Sequence, residues 1–159
     1  MKRPSISGPI NYRIETVRFL VCREGAVATS SQPVVSEPGA VIELSWKLIP
    51  DDAREYFYAL YLNAQNRIVA AHEVSVGTLC ASLVHPRDVF GPALRLLGVA
   101  SIILVHNHPS GDPTPSQEDV RLTRQLAEAA RILDLGLHDH LILGNGTTNY
   151  ISLAECGLI

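Results

Sequence analysis

The residues with metal-binding chemistry are concentrated in one stretch, HNHPSGDPTPSQED, which runs from His106 to Asp119. His106 and His108 follow SIILV, an apolar and β-branched run that predicts a buried strand. Side chains two residues apart on a strand point to the same face of the sheet. The two imidazoles are therefore expected to converge on one point, as metal ligands do.

Asp119 is the third candidate ligand. The segment Pro109–Pro115 is rich in proline and glycine and predicts a loop, and the helical pattern that starts at Gln117 carries Asp119 in its first turn. The loop can return the start of this helix to the end of the strand. Two neutral nitrogens and one carboxylate leave a tetrahedral Zn²⁺ one position for water, which is typical of catalytic zinc sites. Bound zinc lowers the pKa of that water to about 7.

Other interpretations of these residues stay open. Ser116 and Asp119 also form a capping-box pattern, which is compatible with metal binding because a cap can hold the carboxylate in place. The segment His138–His140 (HDH) is an alternative metal site, although no suitable third ligand follows it. Asp139 or His140 could instead accept the second N–H of a ligating histidine.

The complete pattern, His-x-His, seven residues and Ser-x-x-Asp, resembles the JAMM signature of the JAB/MPN metalloprotease superfamily. The surrounding blocks resemble its RadC-like branch: VSVGTLCASLVHPRDVF at Val74–Phe90, DHLILG at Asp139–Gly144 and SLAECGL at Ser152–Leu158. The resemblance extends from about Pro50 to the end of the sequence. It implies an α/β fold with a mixed β-sheet flanked by helices, an α/β/α sandwich similar to that of cytidine deaminases.

The resemblance also implies an activity, namely zinc-dependent hydrolysis of a peptide or isopeptide bond in a peptide or protein substrate. The two histidines and the aspartate would hold one zinc ion. In the resembled family, a glutamate at the start of the strand after the first helix acts as general base and then as acid. Glu55 occupies that place and is preferred, with Glu73 as the other candidate. Ser116 would donate a hydrogen bond to the developing oxyanion, an interaction that contributes about 3 kcal/mol at comparable sites.

Two further functions stay open. One is an accessory role in DNA repair, recombination or mobile elements, with or without hydrolysis, for which the family resemblance is the only support. The net charge of −3 supplies no basic excess for binding phosphates. We also expect this chain to lack the N-terminal helix-hairpin-helix module that RadC proteins commonly carry. The other function is a scaffold with a structural metal, which the complete ligand set disfavours.

Composition predicts one folded domain with a sizeable core, because 47% of the 159 residues are apolar and 18% are charged. The three cysteines are odd in number and form no CxxC, so they predict free thiols in a reducing compartment. Neither a signal peptide nor an apolar run of the ~18 residues that span a membrane is recognisable. We therefore expect a cytoplasmic protein without a membrane partner.

The elements that would position the site follow from hydrophobic periodicity. Residues 1–35 predict an N-terminal β-ribbon that packs on the domain or pairs with another chain in a dimer, and residues 36–159 predict the RadC-like JAB/MPN domain. Helices are predicted at 36–49, 86–97 and 117–133, and strands at 56–62, 67–76, 99–105, 137–143 and 149–152. Pro92 predicts a kink or a late start of the second helix, and Gly136 is predicted to end the third.

Overall fold

The structure, a computed structural model, describes residues 38–50, 52–77 and 84–159. The predicted β-ribbon of residues 1–35 lies outside these residues. The elements follow in the order α1 (Pro38–Leu48), β1 (Glu55–Asn63), β2 (Ile68–Gly77), α2 (Pro86–Ala93), β3 (Val99–His108), α3 (Gln117–Ile132), β4 (Gly136–Gly144) and β5 (Tyr150–Ser152). No helix in this part of the chain combines the length and the apolar character that crossing a membrane requires.

The strands form one five-stranded sheet in the order β2-β1-β3-β4-β5. Strand β1 is antiparallel to both β2 and β3, β3 is parallel to β4, and β4 is antiparallel to β5. The parallel pair is joined through α3, as a parallel connection requires a crossover. The predicted mixed α/β architecture is therefore confirmed, with the strand that carries the two histidines at the centre of the sheet.

Apolar side chains fill both faces of the sheet, because alternate residues of β1 and β3 point in opposite directions. On one face the core is built on α2 and α3, and it includes Phe57, Ala59, Tyr61, Ile102, Leu104, Val89, Phe90, Leu122, Leu126 and Ala130. On the other face it is built on α1, and it includes Tyr58, Leu60, Leu62, Ile103, Val105, Val41, Ile42 and Ile49. Helices thus cover both faces of the sheet around the central strand.

Helix α2 differs from its prediction at its end. It begins at Pro86 as expected, so the late start is wrong, and it ends at Ala93 instead of reaching residue 97. Pro92 has no N–H to donate to the preceding turn and cannot support further helix. The chain then continues in a turn, and Leu97, which a longer helix would have turned inward, is 99% exposed.

The predicted role of Gly136 as the end of α3 is also wrong. The helix ends at Ile132, Asp134 reverses the chain with a φ of 56°, and Gly136 is the first residue of β4. A Cβ atom on Gly136 would lie 3.2 Å from the Cβ of Ser101. The glycine therefore permits the close approach of β4 to β3 at the start of their parallel pairing.

Candidate metal centre

The two histidines lie together at the end of β3, as predicted. Both are part of the strand, which extends to His108, and they point to the face of the sheet that α3 covers. His106 is only 1% exposed, whereas His108 is half-buried at the rim. Their Nε2 atoms are 3.1 Å apart, so both rings direct the same nitrogen at one position.

Asp119 reaches this position from the first turn of α3. Ser116 is the N-cap of the helix: its Oγ accepts a hydrogen bond from the Asp119 amide at 3.1 Å, and Asp119 Oδ2 accepts from the Ser116 amide at 2.8 Å. This reciprocal capping box satisfies two helix-terminal N–H groups and holds the carboxylate. Asp119 Oδ1 lies 3.3 Å from His106 Nε2, and Oδ2 lies 3.5 Å from His108 Nε2. The capping interpretation is thus confirmed, and the cap leaves the carboxylate where it could also bind a metal.

The spacing of the three groups fits a small divalent ion. A tetrahedral ion with bonds of about 2.0–2.1 Å separates its ligand atoms by about 3.3–3.4 Å. The two Nε2 atoms are 3.1 Å apart, and each lies close to that value from one carboxylate oxygen of Asp119, 3.3 Å from Oδ1 for His106 and 3.5 Å from Oδ2 for His108. Among the described residues these three form the group whose ligand atoms, all within 4.8 Å of one another, could hold a metal. The centre can therefore bind a metal ion through two nitrogens and a carboxylate oxygen.

The loop between β3 and α3 sets the tautomer of His108. Its Nδ1 lies 2.8 Å from the carbonyl oxygen of Asp112, which can only accept a hydrogen bond, so Nδ1 must carry the proton. Gly111 gives the loop the φ of 82° with which it turns back over the strand end. Nε2 is therefore the nitrogen that faces Asp119, and it is the atom that would coordinate a metal when it is deprotonated.

A second chain of hydrogen bonds sets the tautomer of His106. The Thr123 hydroxyl donates to the Asp119 carbonyl at 2.6 Å, so its oxygen is left to accept from His140 Nδ1, also at 2.6 Å. His140 Nε2 is then an acceptor, and His106 Nδ1 donates to it at 2.8 Å. Burial lowers the pKa of His140 well below its ordinary value, and the neighbouring His106 lowers it further by a smaller amount. His140 is therefore neutral.

His140 therefore has the supporting role that was predicted for it or for Asp139. Asp139 is occupied elsewhere, since its Oδ2 accepts a hydrogen bond from Ser152 Oγ at 2.7 Å. Phe57 confines both imidazoles: it stacks on His106 with 5.9 Å between ring centroids and contacts His140 edge-on at 5.3 Å. His138, the other histidine of HDH, is exposed and is not part of the metal-competent group.

The charges at the centre favour an ionised aspartate. Burial opposes ionisation of Asp119, but hydrogen bonds from His106, His108 and Ser116 together hold its pKa well below the ordinary range. The pKa of His108 is raised, principally by its hydrogen bond to Asp119, against the effect of burial. The Asp112 carbonyl and the Glu55 carboxylate raise it further. The ionised Asp119 thus supplies a negative charge that attracts a cation.

Glu55 is the first residue of β1 and lies on the same face as the histidines. Alternation along β1 places Glu55 on the side of Phe57, whose partner across the two strands is His106, and the charge of Glu55 acts on His108. Glu73 lies on the other face: it is paired with Tyr58, whose hydroxyl donates to Glu73 Oε2 at 2.7 Å. Of the two candidate glutamates, Glu55 therefore lies on the face of the sheet that carries the histidines, and Glu73 lies on the other face.

Ser116 has a partner that sequence reasoning did not foresee. Its hydroxyl donates to Asp119 Oδ2 at 2.6 Å, so in this arrangement the proton is directed at the carboxylate. Its role as an oxyanion donor stays a prediction. Sequence reasoning also missed Thr123, Asn107 and Asn145. Thr123 could have been found, because residues four apart on a helix share a face and Asp119 was already a candidate.

Comparison with known proteins gives a consistent result. Residues 35–158 match the family model described as "RadC-like JAB domain". The chain is 41% identical over 153 residues to a UPF0758 protein of Desulforamulus reducens, covering 96% of this chain and 66% of that protein. It is 43% identical over 125 residues to a UPF0758 protein of Methanosarcina mazei, covering 79% of this chain and 53% of that protein. It is 48% identical over 120 residues to a UPF0758 protein of Syntrophomonas wolfei, covering 76% of this chain and 50% of that protein.

This chain thus spans between about half and two thirds of the length of these curated relatives. The family match includes every element from α1 to β5 and all three candidate ligands. The mixed sheet and the ligand geometry agree with it. The chain belongs to the RadC-like JAB domain family.

Proposed function

We propose that this protein is a zinc-dependent hydrolase of the JAMM type that cleaves a peptide or isopeptide bond. The observation that carries the proposal is the convergence of His106, His108 and Asp119, with Glu55 on the same sheet face. The names of the UPF0758 relatives specify no activity, so the proposal depends on this geometry. Zinc is proposed because two imidazoles and one carboxylate are a preferred ligand set for catalytic zinc.

The residues divide the work between binding and proton transfer. A bound zinc ion polarises a carbonyl group and makes hydroxide available near neutral pH. Asp119 is kept ionised, and each of the two histidines uses its Nδ1 in a hydrogen bond away from the centre, so that its Nε2 faces the position of the metal. Glu55 accepts a proton from the attacking water and delivers it to the leaving amine, which the ligands cannot do because their lone pairs are engaged. The exposed rim beside His108 is where a peptide would enter.

The experiment compares zinc content and cleavage of a peptide library in the wild type and three variants. Wild type should bind one zinc ion per chain and cleave a subset of peptides. Glu55→Gln should bind the same amount of zinc and lose at least about 10²-fold in cleavage rate, the usual contribution of a general base. Asp119→Asn should lose zinc. Glu43→Gln, at an exposed position of α1, is the matched control and should behave as wild type.

Each part of the proposal can fail separately. A wild-type protein that binds no zinc would remove the metal centre from it. Zinc-dependent cleavage that is unchanged in Glu55→Gln would assign the proton transfer to another group. Stoichiometric zinc with no cleavage of any peptide would favour a structural metal. We do not propose a nucleic-acid role, because the net charge of −3 provides no electrostatic support for it.

A further inference from the structure

Asn107 lies between the two histidines on β3, and its side chain is engaged by the backbone around Glu55. Its Oδ1 accepts a hydrogen bond from the Tyr56 amide at 2.7 Å, and its Nδ2 donates to the Arg54 carbonyl at 3.0 Å. These are the two peptide groups that flank Glu55. One buried side chain, 0% exposed, therefore holds the backbone on both sides of the proposed base.

The amide of Asn107 extends the sheet where the backbone ladder ends. The pairing of β1 with β3 begins at Phe57, opposite His106. Beyond that pair the Asn107 side chain supplies the hydrogen bonds that the backbone of a partner strand would otherwise make. An asparagine amide offers an acceptor and two donors, and this side chain uses both kinds of group. Aspartate would leave the Arg54 carbonyl without its donor, and leucine would also leave the buried Tyr56 amide without its acceptor.

Asn145, in the turn after β4, completes the arrangement. Its Oδ1 accepts the second hydrogen bond of Asn107 Nδ2 at 2.9 Å, and its Nδ2 donates to the Asp52 carbonyl at 2.9 Å. Its backbone amide donates to the His108 carbonyl at 3.1 Å. Asn145 therefore connects the segment before β1 to the end of the strand that carries the metal ligands.

The segment held in this way is also braced internally. The Asp52 carboxylate accepts hydrogen bonds from the Arg54 guanidinium at 2.6 Å and from the Tyr56 hydroxyl at 2.8 Å. Because Asn107 holds its later part and Asn145 its beginning, residues 52–56 are bound at three carbonyl or amide positions. The Glu55 carboxylate projects from a backbone that has little freedom to move relative to His106 and His108.

We propose that Asn107 and Asn145 form an amide clamp, two positioning residues that hold Glu55 beside the metal centre. This proposal rests on the proposed function, because it takes Glu55 to be the base. It adds that the position of Glu55 relative to β3 is set by side-chain amides, because the backbone pairing of β1 with β3 ends at Phe57 and the pairing at Glu55 is with β2. Removing either amide should leave the three metal ligands in place and displace Glu55.

The test uses zinc alone as the probe and the carboxyl ¹³C resonance of Glu55 as the readout, assigned by its absence in Glu55→Gln. In wild type this resonance should shift when one equivalent of Zn²⁺ is added. In Asn107→Ala and Asn145→Ala the ligand histidine resonances should still respond, and the response of Glu55 should fall to less than about half. In Asn107→Ala the exchange rate of the Tyr56 amide should also rise about five- to tenfold, as expected when one hydrogen bond is lost.

Asn149→Ala is the matched control, since Asn149 lies in the same β4–β5 connection with an exposed side chain. It should respond to zinc as wild type does. Asn145 is only half-buried, so we expect Asn145→Ala to fold. This variant tests the clamp even if Asn107→Ala does not fold. A Glu55 response that is unchanged in both clamp variants would overturn the clamp while leaving the zinc centre intact. If the Glu55 resonance of the wild type does not shift when zinc binds, both the clamp and the assignment of Glu55 as the base would be overturned.

Discussion

The Nδ1 atom of His106 lies 2.8 Å from the Nε2 atom of His140, and the two residues lie on neighbouring parallel strands. The hydroxyl of Thr123 fixes the direction of this hydrogen bond, because its own proton is donated to the Asp119 carbonyl. The candidate ligand His106 on β3 is thus oriented by a buried neutral histidine on β4, and Thr123 of α3, the helix that carries Asp119, orients that histidine. The metal centre and the core are parts of one hydrogen-bonded unit.

Replacing His140 should weaken zinc binding without removing a ligand. His140→Leu keeps the site filled with a side chain of similar volume but leaves His106 Nδ1 without its acceptor. Loss of such an outer partner typically reduces metal affinity by about 10- to 100-fold. Competition with a chromophoric chelator would measure it. His138→Leu, on the same strand but exposed, is the control. Equal zinc affinity in wild type and His140→Leu would contradict the orienting role.

The buried His140 should also make the metal-free protein sensitive to acid. Its pKa is lowered in the folded state by burial, so below about pH 6.5 the unfolded chain binds a proton that the folded chain does not. The free energy of unfolding should therefore decrease as the pH falls from 6.5, by up to about 1.4 kcal/mol per pH unit. Urea unfolding of wild type and His140→Leu between pH 7 and 5 would test this. The variant should show the shallower slope, and parallel slopes would contradict the assignment.

Ser116 allows its two roles to be separated. Ser116→Ala removes the cap of α3, and such a loss typically lowers the free energy of unfolding by about 1 kcal/mol. Because the hydroxyl also donates to Asp119, we expect zinc affinity to fall too, with recovery in Ser116→Thr. Thermal unfolding and zinc competition would measure the two effects. A variant with normal zinc affinity and a cleavage rate reduced by 10²-fold or more would instead support the oxyanion role.

Gly144 should be intolerant of any side chain. A Cβ atom there would collide with the Gly111 carbonyl in the loop whose next residue, Asp112, orients His108. Gly144→Ala should lower the free energy of unfolding by about 1–3 kcal/mol and weaken zinc binding, because the loop must move. Gly39→Ala, at an exposed position of α1, is the control: nothing beyond its chain neighbours lies within 4 Å of its added Cβ, and alanine favours the helix. Equal stability and zinc affinity in Gly144→Ala and wild type would contradict this view of the loop.

Much of the fold could be predicted because its signals are local. The apolar run before His106 and the stripe of Leu122, Leu126 and Ala130 depend only on the periods of strand and helix. Predictions that concerned where elements end were less accurate. Pro92 ended α2 instead of bending it, and Gly136 began a strand instead of ending a helix. Both outcomes depend on which residues of other elements pack nearby, and the sequence pattern within one helix or strand carries no information about them.

By itself the sequence determined which groups can hold the metal, because His-x-His on a strand and Ser-x-x-Asp at a helix start have nearly fixed local geometries. The tertiary structure alone decided which groups support them. The contacts of His140 and Asn145 join segments that are 34 to 93 residues apart in the chain, and the pairing of Glu73 with Tyr58 places this candidate on the face opposite the histidines. Such partners are brought together by sheet pairing and helix packing, so no spacing within the sequence specifies them.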